Sequence, residues 1–127
     1  MSEIKSGYKY TEKDDWVKIE GDKIRVGITD HAQHELTELV FVELPPVGKH
    51  LKKGEVLAVV ESVKAASDVL CPADGEVVEV NTQLSNDPGL INRDPYGEGW
   101  IAVLKISNPA QLTDLLDEKG YKKKLGK

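Results

Sequence analysis

The chain holds one cysteine in 127 residues, which excludes an intrachain disulfide and a cysteine-built metal cluster and suits a reducing compartment. Cys71 follows an apolar run and precedes Pro72, the setting of a small buried filler rather than a reactive thiol. Apolar runs long enough to cross a bilayer, about 20 residues, are missing. The opening Met1-Ser2-Glu3-Ile4-Lys5-Ser6-Gly7 has no apolar signal core and no arginine-rich transit character. A cytoplasmic protein is therefore expected, with a trimmed mitochondrial matrix protein as the alternative. Basic excess is lacking too: 17 basic against 22 acidic residues leave a net charge of −5. That balance argues against nucleic acid or an anionic membrane as partner and for other proteins. Neither a nucleophile-base-acid set, nor a phosphate-cradling glycine loop, nor a metal-ligand spacing is found. The chain is thus expected to be no enzyme by itself.

What is present is an ordinary globular composition, 39% hydrophobic and 31% charged, at a length that buries about two-thirds of the surface an unfolded chain exposes. Residues 1–127 read as a single domain, expected as a monomer. Trp16-Val17-Lys18-Ile19-Glu20 alternates, Gly21-Asp22 turns, and Lys23-Ile24-Arg25-Val26-Gly27-Ile28 alternates back, a hairpin with Trp16 in the core. Gly27 inside its second strand signals a bulge or a close backbone approach. Thr29-Asp30 caps a short helix from His31 to about Glu38. His31 and His34 stand three apart on it, with no partner spacing that supports a metal. Leu39-Val40-Phe41-Val42-Glu43-Leu44 reads as a largely buried strand ended by Pro45-Pro46, and Val47 to Gly54 as a polar loop. Glu76-Val77-Val78-Glu79-Val80 alternates again after the turn Ala73-Asp74-Gly75. Asn81 to Gly99 reads as a long irregular stretch, either functional or simply wrapped over a sheet edge. Trp100 to Ile106 is a last strand. Asn108-Pro109 starts a helix with Leu112, Leu115 and Leu116 inward, stopped by Gly120. The ending Tyr121-Lys122-Lys123-Lys124-Leu125-Gly126-Lys127 reads as a frayed basic tail, or alternatively as a docking element for an acidic partner surface. Many short strands, Gly and Pro turns and helices confined to the edges spell a mainly antiparallel sandwich.

The most informative stretch joins the apolar run Val56-Leu57-Ala58-Val59-Val60 to Val69-Leu70 through Glu61-Ser62-Val63-Lys64-Ala65-Ala66-Ser67-Asp68. It reads as a tight hairpin over residues 56–71 with Ser62 opening the turn and Val63 and Lys64 at its centre. Valine and alanine are odd occupants for a merely soluble turn, where Asn, Gly and Asp prevail. Small neighbours leave the Lys64 amine open to an enzyme that must reach it. With this centring Glu61 faces Ala66 and Asp68 faces Val59, so both acids share one face as diagonal neighbours.

Glu61-Ser62-Val63-Lys64-Ala65, taken with Asp94-Pro95-Tyr96-Gly97-Glu98-Gly99-Trp100 and Val26-Gly27-Ile28-Thr29-Asp30, resembles the H-protein family of the glycine cleavage system over nearly the whole chain. Biotin carriers show Met-Lys-Met at the equivalent turn and lipoyl domains of 2-oxoacid dehydrogenases Asp-Lys-Ala, and Val63-Lys64-Ala65 fits neither as well. The resemblance implies a flattened barrel of two small sheets, lipoyl-domain-like (a barrel-sandwich hybrid), with a lipoyl-binding core over 23–105. It implies lipoate in amide linkage to Lys64. The hairpin residues Glu61, Ser62, Val63, Ala65 and Asp68 would be read by a lipoate ligase or lipoyl transferase. The arm would then carry the aminomethyl group of glycine from a pyridoxal-phosphate glycine decarboxylase to a folate-dependent aminomethyltransferase, before reoxidation by dihydrolipoamide dehydrogenase. Alternative readings are a lipoyl or octanoyl relay protein, a detached lipoyl or biotinyl domain of another complex, and an interaction domain whose Lys64 is never modified. The resemblance also implies a cleft that shelters the loaded arm, matched here by Asp14-Asp15-Trp16 and Asp30-His31-Ala32-Gln33-His34-Glu35. Relatives commonly show His-Glu-Trp at the first of these, so Asp14 lacks the imidazole and Asp15 is one methylene short. Asp15 and Glu35 are the cleft candidates, with Asp68 as a further acid.

Overall fold

Alternating residues flank Gly21-Asp22, and the hairpin they make seeds the larger sheet. In a computed structural model that describes residues 3–126, β2 (Asp15–Glu20) pairs antiparallel with β3 (Lys23–Ile28), Trp16 opposite Gly27 and Glu20 opposite Lys23. A Cβ at position 27 would lie 2.6 Å from the Trp16 indole, so Gly27 marks a close approach, with the ring lying on the bare backbone.

Six strands complete that sheet in the order β1-β2-β3-β9-β8-β5, where β1 is Lys9–Tyr10, β5 His50–Leu51, β8 Gly75–Val80 and β9 Ala102–Ile106. A second sheet has the order β4-β6-β7, built from β4 (Leu39–Glu43), β6 (Val56–Ser62) and β7 (Ala66–Leu70). Val17, Val26 and Leu104 of the first sheet share one buried cluster with Val42, Val60 and Val69 of the second. Each such side chain contributes roughly 1.5–3 kcal/mol on burial. A separate aromatic cluster joins Tyr10, Trp16, Tyr96 and Tyr121. The antiparallel two-sheet architecture with short peripheral helices is the one expected from the sequence.

Several local expectations are corrected. Helix α1 runs Asp30–Leu36, ending two residues earlier than expected. Thr29 caps it through its side chain to Ala32 N. Asn92 takes over at the other end: its Nδ2 donates to the Thr37 carbonyl and its Oδ1 accepts from Leu39 N, both at 2.9 Å. That bracket turns the chain out of the helix at Thr37, whose φ is 66°. Strand β4 is not largely buried. Its pairing with β6 shifts between Leu39 and Phe41, and such an irregularity leaves Val40 and Phe41 54% and 50% exposed while Leu39 and Val42 face inward. The polar loop after Pro46 contains β5, and the stretch from Asn81 to Gly99 contains helices α2 (Gln83–Asn86) and α3 (Leu90–Arg93).

The C-terminal region departs most. Instead of one helix ending at Gly120, a 3-10 turn (Pro109–Leu112) is followed by helix α4 (Glu118–Lys124), capped by Asp117 on Gly120 N. The break occurs because Leu116 exchanges backbone hydrogen bonds with Tyr10 at 2.7 and 2.8 Å, which a helical residue cannot do. Nor do residues 121–126 form a frayed tail; Lys127 lies outside the described residues. Tyr121 is fully buried and its ring stacks on Tyr10, with centroids 4.6 Å apart.

Candidate functional site

The β6–β7 hairpin follows from local chemistry. Ser62 N donates to the Ala65 carbonyl at 2.8 Å, while the Ser62 hydroxyl accepts from Lys64 N and Ala65 N at 3.3 and 3.2 Å. One side-chain oxygen thereby satisfies two turn N–H groups that otherwise face water, and it fixes Val63 and Lys64 at the apex. Val63 is 86% exposed and Lys64 is exposed beside it. Among the described residues the Lys64 amine enters no ion pair.

The expected register is found, with Glu61 opposite Ala66 and Asp68 opposite Val59. Both acids lie on the sheet's outer face. Sequence reasoning missed two companions there: Phe41 pairs with Glu61, and Glu43 with Val59. The outer face therefore carries an exposed phenyl ring and three carboxylates close to the lysine turn. The signal was present in the apolar-polar step from Phe41 to Glu43, but the shift at Val40 decided which way the ring points.

Asp15 opens β2, in the six-stranded sheet rather than the sheet of the β6–β7 hairpin. It is 3% exposed and helps to line a cavity of about 340 Å³ with Thr11, Leu70, Cys71, Pro72 and Leu115. Burial pushes its carboxyl up to about 8, opposed by a hydrogen bond from the Thr11 hydroxyl and reinforced by the charge of Asp14. At neutral pH the group is mostly a neutral acid, the form that its burial favours, although Glu12 and Lys13 also line the cavity. Lys53 and Asp114, ion-paired at 2.7 Å, stand at the same cavity.

The other candidates fall elsewhere. Glu35 lies on the exposed side of α1, 3.9 Å from His31 Nε2, and is not among the residues lining the Asp15 cavity. His34 Nε2 faces Asp30 at 3.5 Å, so each histidine of α1 has a carboxylate four residues away on the same helix and the two do not converge on one point. Cys71 is buried, donates to the Ala73 carbonyl at 3.1 Å, and has its thiol pushed up to about 11 by burial, in keeping with a filler.

Comparison with known proteins bears on the same geometry. A family model described as glycine cleavage H-protein matches residues 8–127. The glycine cleavage system H protein of Symbiobacterium thermophilum is 54% identical over 121 residues, 95% of this chain and 94% of that one. The protein of the same name from Thermotoga maritima is 54% identical over 113 residues, 89% and 91% of the two chains. The crystal structure of a glycine cleavage system H protein from Mycobacterium marinum superposes with a TM-score of 0.90 at 39% identity, over 98% of this chain and 100% of that one. With an apical lysine on a rigid hairpin and likeness running from end to end, the chain belongs to the glycine cleavage H-protein family.

Proposed function

We propose that this protein is a non-catalytic carrier of lipoate, held as an amide on Lys64, and that it works in the cytoplasm as the H protein of glycine cleavage. The observation that carries the reading is the apical Lys64, exposed and without an ion-pair partner, on a turn braced by the Ser62 hydroxyl. A lipoyl group there would supply a dithiolane sulfur that accepts and gives up the aminomethyl group of glycine.

The chain's own residues do the rest. Ser62 holds the turn, so the amine is presented on a stiff mount and a ligase need not order it. Val63 and Ala65 add little bulk around it, while Glu61 and Asp68 give a ligase or transferase charged landmarks on one face. The lipoyl-binding core spans 23–105. Its partners are the glycine decarboxylase, the aminomethyltransferase, dihydrolipoamide dehydrogenase and the lipoate-attaching enzyme. Tethering the cofactor raises its effective concentration at each of them to the order of millimolar.

An arm of roughly 14 Å by bond counting, laid back along β7, passes Asp68 four residues from Lys64, about 13 Å at the usual strand rise. Leu70, at the cavity's edge, is about 20 Å away at most by the same rise. Leu70, Pro72 and Leu115 would match the aliphatic part of an arm that reached the cavity. The neutral Asp15 carboxyl needs only to lose a proton to face an ammonium group as a carboxylate. Growth with lipoate followed by intact-mass measurement tests the assignment. A single lipoyl increment is expected, lost in Lys64→Ala. An increment that survives in that variant refutes the site, and glycine decarboxylation that proceeds equally well without the protein refutes the carrier role.

A further inference from the structure

Asp14 has φ 68°, a left-handed backbone that costs a non-glycine residue on the order of 1 kcal/mol and persists only where its surroundings impose it. Here they do. Its N–H donates to the Thr11 carbonyl at 3.2 Å, and its own carbonyl accepts from Thr29 N at 2.9 Å. Its Oδ1 accepts from the Tyr121 hydroxyl at 2.9 Å and from Lys124 Nζ at 3.1 Å.

The direction of the hydrogen bonds around Tyr121 is set by what each group can do. A carboxylate only accepts, so the Tyr121 proton points at Asp14. The 2.8 Å contact with Thr29 Oγ1 must then be donated by Thr29. That hydroxyl keeps a lone pair for Ala32 N at the start of α1, 3.2 Å away. The result is a one-way chain from Ala32 N–H through Thr29 and Tyr121 to Asp14, in which each bond polarises the next. Stacking on Tyr10, with an interplanar angle of 4°, stops the Tyr121 ring from swinging out of line.

The peptide linking Asp14 to Asp15 is where this chain ends, and the next side chain enters the cavity. The Asp15 backbone is held by Thr11 and by pairing with Ile28, while its carboxyl has one hydrogen bond, from the Thr11 hydroxyl at 3.3 Å, and none from α4. We propose that Tyr121 is a positioning residue for the Asp15 carboxyl, acting through Asp14, so that the C-terminal helix sets the cavity's reception of the carrier's cationic cargo. The proposal rests on the reading of that cavity as the shelter of the loaded arm. Tyr121 touches neither arm nor cargo.

Tyr121→Phe isolates the hydroxyl, since the ring keeps its stacking and burial. The first readout needs no arm: the titration of Asp15 followed by carboxyl NMR in the full unmodified chain. The wild-type midpoint is expected far above the carboxylate range, near 8. Tyr121→Phe should bring it down by about one unit or more as water reaches a loosened carboxyl. Asp14→Gly serves as a second variant, because glycine adopts the left-handed backbone freely and the fold should survive. Asp14→Asn keeps an acceptor for Tyr121 while removing the neighbouring charge, and so measures that charge alone. The drop in Asp14→Gly must exceed the drop in Asp14→Asn. An Asp15 midpoint unchanged in Tyr121→Phe, or equal in the two Asp14 variants, overturns the positioning role.

The second readout is retention of cargo by the reduced arm after reaction with formaldehyde and ammonium. Loading joins thiol, formaldehyde and ammonium into a protonated aminomethyl thioether with loss of one water, and hydrolysis returns all three. Formaldehyde release should quicken about fivefold in Tyr121→Phe, the scale of one ordinary net hydrogen bond, and at least as much in Asp15→Asn. Release that is unchanged in Asp15→Asn refutes the sheltering cavity itself, whereas quickening in Asp15→Asn without any in Tyr121→Phe refutes only the part assigned to Tyr121.

Discussion

The tip of the β6–β7 hairpin and the corner around Asp15 are built in opposite ways. At the tip every hydrogen bond that fixes Lys64 is supplied within four residues, by Ser62 to Lys64 N and Ala65 N and by Ala65 back to Ser62. At the corner only one hydrogen bond of Asp14 is local, to Thr11; the others come from Thr29 N, Lys124 and Tyr121, the last 107 positions away. A locally built tip depends little on the rest of the fold, which suits the proposed attachment lysine. A corner assembled from both ends of the chain keeps its shape only while the whole fold is intact, and its geometry answers to remote changes. The difference also separates exposure from burial. Lys64 is exposed, whereas the carboxyl of Asp15 is buried and favoured as a neutral acid.

The sharpest way to break the comparison is to remove the long-range anchor. Tyr121→Ala empties a fully buried site against Tyr10 and deletes the hydroxyl between Thr29 and Asp14. By analogy with other aromatic truncations it should cost about 3–5 kcal/mol. Chemical denaturation of the unmodified chain measures this. The hairpin should remain the last part to lose amide protection, and simultaneous loss of protection at tip and corner would show that the two regions are not independent.

Next in size is the pH dependence carried by Asp15. Its folded value near 8 lies above its unfolded 3.8, so the folded state holds the proton more tightly. The stability this brings is complete below the unfolded value and is lost as pH rises through about 8. Wild type should therefore lose on the order of 4 kcal/mol more than Asp15→Asn between pH 5 and pH 9. Parallel stability curves for the two proteins would mean that Asp15 is not buried as a neutral acid. No comparable slope should come from changes at the tip.

The same contrast explains which parts of the molecule could be read from the chain alone. Ser62, Lys64, Glu61 and Asp68 obey short-range rules of turn and alternation, so the register of the hairpin follows from its own residues. Gly27 was legible as a close approach or a bulge, and only the Trp16 ring across the strand decided between them. The helix after Thr29 ended early because Asn92, far along the chain, takes the hydrogen bonds that another helical turn would have made. Phe41 faces outward because of a register shift that alternation does not reveal. The leucines from Leu112 to Leu116 have helical spacing, yet Leu116 bonds to Tyr10 as an extended residue, and the tyrosine after Gly120 proved to be core. Each miss lies where a distant partner outbid the local preference.

A smaller effect is expected from Ser62→Ala. It leaves two turn N–H groups without their side-chain acceptor, but both lie near water that can replace it, so the global cost should be about 1 kcal/mol. The informative measurement is local: faster amide exchange at Lys64 and Ala65, and slower acceptance of lipoate by Lys64 while the Asp15 titration stays where it was. A shift of that titration would tie tip to corner after all.

Smallest of all in stability is Lys64→Ala, although it removes the group on which the proposed function depends. The side chain is exposed, and among the described residues its amine enters no ion pair. Its loss should move the unfolding free energy by no more than about 0.5 kcal/mol, while covalent lipoylation disappears entirely. This pairing of a null effect on folding with a complete effect on modification is what a locally braced tip predicts. If Lys64→Ala instead destabilised the fold by several times that amount, the lysine would have to be anchored to the body of the protein, and an arm attached there would have no freedom to travel between partners.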